Sequence, residues 1–226
     1  DAFNDAGYTT AYIGKWHLWA NQLGHHNQIG NAFTPPGPYR LGFDGYWAGY
    51  NFSHHSHGAV YFEDTCDPIP YEGYEADTQT DMAINFLQNT NPKENPFALF
   101  LSWGPPHDPW GSDNLPEGYW ERFHDCDIQP RPNFSTQQDP YADNWATMPD
   151  DYRNNLQDYM RGYYAQVANI DWNLGRIMDI VDQLGIADNT YFVFTSDHGE
   201  MWGSQGRRAK NIFYDEACRV PFLIRH

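Results

Sequence analysis

Four short runs constrain this chain more than any other feature: "TTAYIGKW" (9–16), "PFALFLSW" (96–103), "TYFVFTSD" (190–197) and "VPFLIR" (220–225). Each is apolar almost without a break, rich in aromatic or β-branched residues, and too short for a typical helix. Strands that are apolar on both faces are buried on both, which is the pattern of a mainly parallel sheet flanked by helices. The helical material lies between them. Leu156, Met160, Tyr163, Val167, Ile170, Leu174, Ile177 and Val181 recur at three-and-four spacing and predict a helix over 150–184, capped by Asp150 and ended by Gly185. Met82, Ile84 and Phe86 support a second helix over 76–87. Strand, helix, strand is the rhythm of an α/β fold, here one large domain.

Two stretches interrupt that rhythm, 22–74 and 105–148, both crowded with Gly, Pro, Asn, Asp, His and aromatic residues. Loops of such length are functional or disordered. Their Trp, Tyr and Phe content argues for ordered insertions that wall a pocket, because disordered segments are poor in aromatics. The first residues, "DAFNDAGY", read as the last turns of a helix closed by Gly7, and "RVPFLIRH" runs into a strand, so both ends read as cut.

Thirty acidic against 13 basic residues give a formal charge of −17, which repels nucleic acid and anionic membrane surfaces. No segment has the apolar length of a membrane span, so neither nucleic acid nor membrane insertion is expected. An anionic ligand must therefore meet a local positive pocket. Cys66, Cys126 and Cys218 fit neither a zinc knuckle nor a full disulfide framework, and a Cys66–Cys126 bridge stays open. Asn51 and Asn133 begin N-x-S triplets, which matter only along a eukaryotic secretory route.

Three of the four strands end in chemically loaded residues: Lys15 and His17 after the first, His107 after the second, Asp197 and His198 after the third. In an open parallel sheet ligands bind at the carboxyl ends of the strands, so these groups are expected to converge. Each also has a plainer reading. Lys15 alone reads as a solvated lysine, and His17 and His107 as imidazoles bonded to backbone. Asp197 with His198 suits a helix cap as well as a divalent cation. His54, His55 and His57 in "NFSHHSHG" lack carboxylate or cysteine partners at ligand spacing and fit the surface or a substrate pocket better than a metal.

Taken together these segments resemble the type I sulfatases of the alkaline phosphatase superfamily. "GYTTAYIGKWHL" is similar to a sequence signature of that family, "GPPHDP" to its mid-chain histidine motif, "FTSDHGEMWGS" to its metal strand, and "AKNIFYDEACRVPFLIR" to its lysine loop and returning strand. The resemblance runs from Gly7 to Arg225 and implies an alkaline phosphatase/sulfatase-like α/β fold. It implies that Asp197 and His198 belong to a calcium (Ca2+) site, with His198 where many relatives have Asn. Lys15, His107 and Lys210 would contact the sulfate group. His17 would lie beside the nucleophile, and His107 would donate a proton to the leaving alcohol. The implied activity is hydrolysis of a sulfated carbohydrate or aryl sulfate by a protein exported to a periplasmic, extracellular or lysosomal compartment. A phosphodiesterase or phosphonate monoester hydrolase of the same superfamily, or a noncatalytic glycan-binding relative, is the alternative.

The sequence departs from the family in one large respect. Sulfatases use a formylglycine made from Cys or Ser within C/S-x-P-x-R, and "CDPIP", "CDIQP" and "CRVPF" do not supply that motif. Its paired N-terminal acidic calcium ligands are absent as well. The expectation is an incomplete catalytic domain over 1–226, lacking the first strand, the nucleophile helix and a C-terminal subdomain, and inactive by itself. Gln205 in "GSQG" stands where many relatives have His.

Overall fold

The computed structural model describes residues 2–19, 28–144 and 146–226. In chain order its elements are α1 (Ala2–Asp5), β1 (Thr9–Lys15), β2 (Tyr46–Tyr50), β3 (Val60–Tyr61), β4 (Ile69–Pro70), α2 (Glu75–Asn89), β5 (Phe97–Ser102), α3 (Trp120–Phe123), α4 (Asp150–Asn154), α5 (Leu156–Leu184), β6 (Phe192–Thr195), α6 (Asp215–Cys218) and β7 (Phe222–Arg225). They fall into two compact units. The first is built from the chain up to Phe123 with Gly162–Ile186, the second from His124–Arg161 with Ala187–His226.

In the first unit β1 lies between two parallel neighbours, in the order β2-β1-β5. The register runs from Ala11↔Tyr46 to Lys15↔Tyr50 on one side and from Thr9↔Phe97 to Gly14↔Ser102 on the other. Residues 10–14 are buried, which is why the run is apolar without alternation. The helix α2 packs against β1 and β5, burying Ala76, Ala83, Phe86 and Leu87. Tyr12, Trp16 and Trp47 form an aromatic cluster joined by Trp19 and Phe43. A second cluster joins Leu115 and Tyr119 to Ala165 of α5. A polar tie links the helices, because Asp77 accepts hydrogen bonds from Asn169 and Asn173, each at 2.8 Å.

Several sequence expectations change in detail. β2 lies inside the stretch expected as the first insertion; its "YWAGY" is short and carries Gly49, so it lacks the long apolar run that marks β1. Residues 22–27 of that insertion, and Trp145 of the second, lie outside the described residues. The expected helix over 150–184 is two helices broken at Asn155. Pro149 takes the N-cap position, and Asp150 instead accepts from Arg153 at 2.8 Å. Gly185 does end α5: at φ +65° its N–H donates to Asp182 O at 3.0 Å, while Ile186 N–H donates to Val181 O at 3.2 Å.

The second unit holds the other strand pair. β6 and β7 are antiparallel, with Phe192↔Arg225 through Thr195↔Phe222, and form their own two-stranded sheet. The apolar runs carry no mark of direction, and the connection between these strands holds only the short α6 in place of a long crossover helix, so the chain doubles back. β7 is exposed along its length, where the sequence suggested burial.

None of the three cysteines is disulfide-bonded, so the bridge left open between Cys66 and Cys126 is not made. Among the described residues no helix is long and apolar enough to cross a membrane. Asn51 is fully buried, and Asn133 donates to Glu216 Oε1 at 2.5 Å.

One close approach sets the sheet. Gly14 has φ +102°, and a Cβ there would lie 2.0 Å from Ser102 O. Gly14→Ala would force β1 and β5 apart, with an expected loss of about 3 kcal/mol or more in urea unfolding. A loss below about 1 kcal/mol would show that the pairing tolerates the shift.

Candidate functional site

The polar groups of the first unit collect at the carboxyl end of its sheet. Lys15 closes β1, half-buried and in register with Tyr50. The backbone continues past it, with Trp16 N–H to Tyr50 O at 2.7 Å and His17 N–H to Asn51 O at 2.9 Å. His17 has φ +52°, which turns the chain out of the strand. The Asn51 amide then holds the next turn, accepting from Trp19 N–H at 3.0 Å and donating to Trp19 O at 2.9 Å.

From His17 a row of rings crosses the site. His17 meets Phe52 at 5.0 Å between centroids, Phe52 meets His54 at 4.4 Å, and His54 stacks on His107 at 4.2 Å and 16°. The stack forms because the loops carrying the two histidines are pinned together. Asn114 Nδ2 donates to Pro109 O at 2.9 Å and to Ser56 Oγ at 3.2 Å, while its Oδ1 accepts from Ser56 N–H at 3.3 Å. Gln166 of α5 donates to Pro109 O at 3.1 Å, and the Trp110 indole to Pro106 O at 2.8 Å.

His54, His107 and Asp108 each bring a donor atom within 4.8 Å of the others. Two imidazoles and a carboxylate suit a zinc-class ion by donor type, whereas calcium prefers oxygen. The geometry points elsewhere. The lone pairs of two nearly parallel rings lie in two separate planes, so one ion cannot sit in the plane of both. His107 Nδ1 is already 2.5 Å from Asp108 Oδ1. The contacts present in the cluster are the ring stack and the His107–Asp108 pair.

Behind it sits an acid that sequence reading missed. A cleft of ≈ 10 Å³ is lined by Ser53, His54, Ser56, Glu75 and His107, among others. Glu75, in the first turn of α2, is only 3% exposed. Gln79 Nε2 donates to its Oε1 at 2.7 Å and to the Tyr71 hydroxyl at 3.1 Å. The Tyr50 hydroxyl faces the same carboxyl group without a hydrogen bond of standard geometry. Gly104 leaves the space for this arrangement, since a Cβ there would lie 2.6 Å from the Tyr50 hydroxyl and 3.0 Å from both Glu75 oxygens. Burial pushes the Glu75 carboxyl up to about 7, with Tyr50, Gln79 and the Lys15 charge pulling it part of the way back. Burial also raises the Tyr50 and Tyr71 hydroxyls well above the usual tyrosine range, helped by the negative charge of Glu75.

The second unit holds the remaining sequence candidates. At the end of β6, Asp197 Oδ1 accepts from His198 N–H at 3.0 Å, and Asp197 Oδ2 lies 3.5 Å from His198 Nε2. His198 Nδ1 is 2.8 Å from Gly199 O. Glu200 Oε1 accepts from Ala209 N–H at 2.5 Å, and Met201 N–H donates to Ala209 O at 2.9 Å. These bonds tie the segment carrying Lys210 to the one carrying Asp197 and His198. Asp197 offers the oxygen donors that calcium takes; the His198 imidazole offers nitrogen, a poorer match. Gln205 is exposed with φ +57°, its N–H on Asn133 O at 3.0 Å.

Of the sequence candidates, then, Lys15, His17 and His107 collect at one end of the first unit, joined by His54, while Asp197, His198 and Lys210 share the second. Glu75 went unseen because an acid opening a helix is the ordinary partner of the helix dipole and carries no mark of burial. Of the aromatics in the two insertions expected to wall a pocket, Trp47, Tyr50, Trp110 and Tyr119 are buried in the core, whereas Tyr46, Phe52, Trp120 and Phe123 are only partly covered.

Comparison with known proteins places these features in context. The sulfatase family model matches residues 1–226. The "Ulvan-active sulfatase" of Formosa agariphila is 32% identical over 229 residues, covering 100% of this chain and 40% of that protein. A putative sulfatase of Bacteroides fragilis superposes with a TM-score of 0.82 at 28% identity, covering 99% of this chain and 48% of the other. A protein solved in complex with its substrate D-glucosamine-2-N,6-O-disulfate superposes with a TM-score of 0.72 at 25% identity, over 99% of this chain and 54% of that one. The chain thus spans about half or less of the length of these relatives.

Glu75 makes stability depend on pH. Its folded value lies above the ordinary 4.5, so its contribution is fully present below about 4.5 and is lost as pH rises through about 7. Glu75→Gln, neutral throughout, should match the parent near pH 4.5 and exceed it by about 3 kcal/mol at pH 8 in urea unfolding. A constant difference across that range would contradict a buried neutral carboxyl group.

Proposed function

This chain belongs to the sulfatase family, and from that membership we propose that the protein hydrolyses sulfate esters, of a carbohydrate in preference to an aryl alcohol. What supports this reading most is the family match along residues 1–226. The carbohydrate preference is drawn from the ulvan-active relative and from the one solved with a sulfated glucosamine.

As the S–O bond to the leaving alcohol breaks, negative charge moves onto the bridging oxygen. The reaction needs cations around the sulfate oxygens and a proton donor at the leaving oxygen. In this reading Lys15, His107 and Lys210 contact the sulfate group. His107 protonates the departing oxygen, a task that suits an imidazole held in place by Asp108 and stacked on His54. His17, anchored through the Asn51 backbone, assists proton changes at the nucleophile. Calcium, held by Asp197 with His198 as a neighbouring ligand, would supply positive charge against the sulfate oxygens. A formylglycine, for which this sequence contains no C/S-x-P-x-R motif, would supply the attacking oxygen. Accordingly these 226 residues by themselves should not turn over substrate. The proposal includes that these residues are an incomplete catalytic domain and that the protein is exported.

In the full-length protein, His107→Ala and Lys210→Ala should each lower kcat for a glucosamine sulfate by about 100-fold or more, with the urea midpoint unchanged. Near-parental turnover in either variant removes that residue's role. Chelation of divalent ions should abolish activity and added calcium should restore it. Faster hydrolysis of a phosphonate monoester than of any sulfate ester, or tight binding of sulfated glycans with no turnover, would replace the sulfatase reading.

A further inference from the structure

Glu75 is a buried titratable group for which the reaction above has no use. It is 3% exposed, and it lines the same cleft as His54 and His107. The cleft's ≈ 10 Å³ is about the space of one water. Its lining residues include Glu75, Ser53, Ser56, His54 and His107, a set rich in the polar groups such a water needs. Behind the carboxyl group the partners are committed. Gln79 binds Oε1 and Tyr71 together, and Gly104 leaves no side chain to close the front.

We propose that Glu75 is a positioning residue for the imidazole pair: through a single water in the cleft, its carboxyl group sets which of the His54 and His107 rings carries a proton. The transfer balances simply. Glu75 gives its proton to the water, the water passes one of its own to an imidazole, and the water is unchanged. Stacked rings 4.2 Å apart disfavour two positive charges, so a proton placed on one ring bears on the other. The groups that face Glu75 are Lys15 from β1, Tyr50 from β2, Tyr71 and Tyr74 from the segment before α2, and His54, His107 and Asp108 from the two loops. Among them Glu75 is held up to about 7, between a carboxylic acid fixed neutral and one fixed ionised.

The proposal builds on the sulfatase reading only where it touches turnover, so its test has a part that needs no substrate. In histidine-labelled protein followed by NMR, Glu75→Gln should move the pH at which the His54 and His107 ring resonances titrate downward by about half a unit or more, as expected for loss of one nearby charge. Glu75→Asp, which keeps the charge, should leave them closer to the parent. Unmoved resonances in Glu75→Gln, or equal movement in both variants, would overturn the proposal. In full-length enzyme the limb of the kcat profile set by the proton donor should shift in the same direction. A shift in the NMR titration with no sulfate ester hydrolysed by the full-length parent would support the Glu75 link and overturn the sulfatase reading instead.

Discussion

A strand buried between two neighbours and under a helix has room for polar chemistry only where it ends, and β1 obeys that constraint. Its interior residues are closed off, with Gly14 pressed against the Ser102 carbonyl. Its first polar side chain on the far end is Lys15. β2 and β5 run in the same direction, so their exits fall at the same edge. The loops that leave this edge carry His17, His54 and His107, and the helix that enters beside it carries Glu75. The site of the first unit is thus a consequence of parallel pairing around one fully enclosed strand.

Much of this was legible beforehand, and the reasons differ by element. β1 and β5 announced themselves through unbroken apolar runs and α5 through its three-and-four spacing, while α2 was marked only by the apolar Met82, Ile84 and Phe86. β2 did not, since five residues containing a glycine look like loop. β6 and β7 were visible as strands, but a run of apolar residues is the same read in either direction, and their antiparallel pairing had to come from the fold. His107 and His54 could be singled out one at a time. Their stacking could not, because it depends on Asn114 and Gln166 pinning distant loops together, and an Asn or Gln in a loop or helix carries no sign of its partner.

The two units supply different chemistry. The first presents imidazoles, a lysine and a buried acid whose charge responds near neutrality. The second holds a carboxylate and an imidazole at the end of β6, with Lys210 tied to them through Glu200. The sulfatase family model matches the chain across both units.

Asn51 has a practical bearing on how this protein can be made. Its amide group sits at zero exposure, both ends used by the Trp19 backbone, at the head of an Asn-Phe-Ser triplet. Oligosaccharyltransferase acts on the nascent chain before such a residue is hidden. Along a eukaryotic secretory route, a sugar installed there would have no space in the native state, so expression that bypasses that route avoids the conflict.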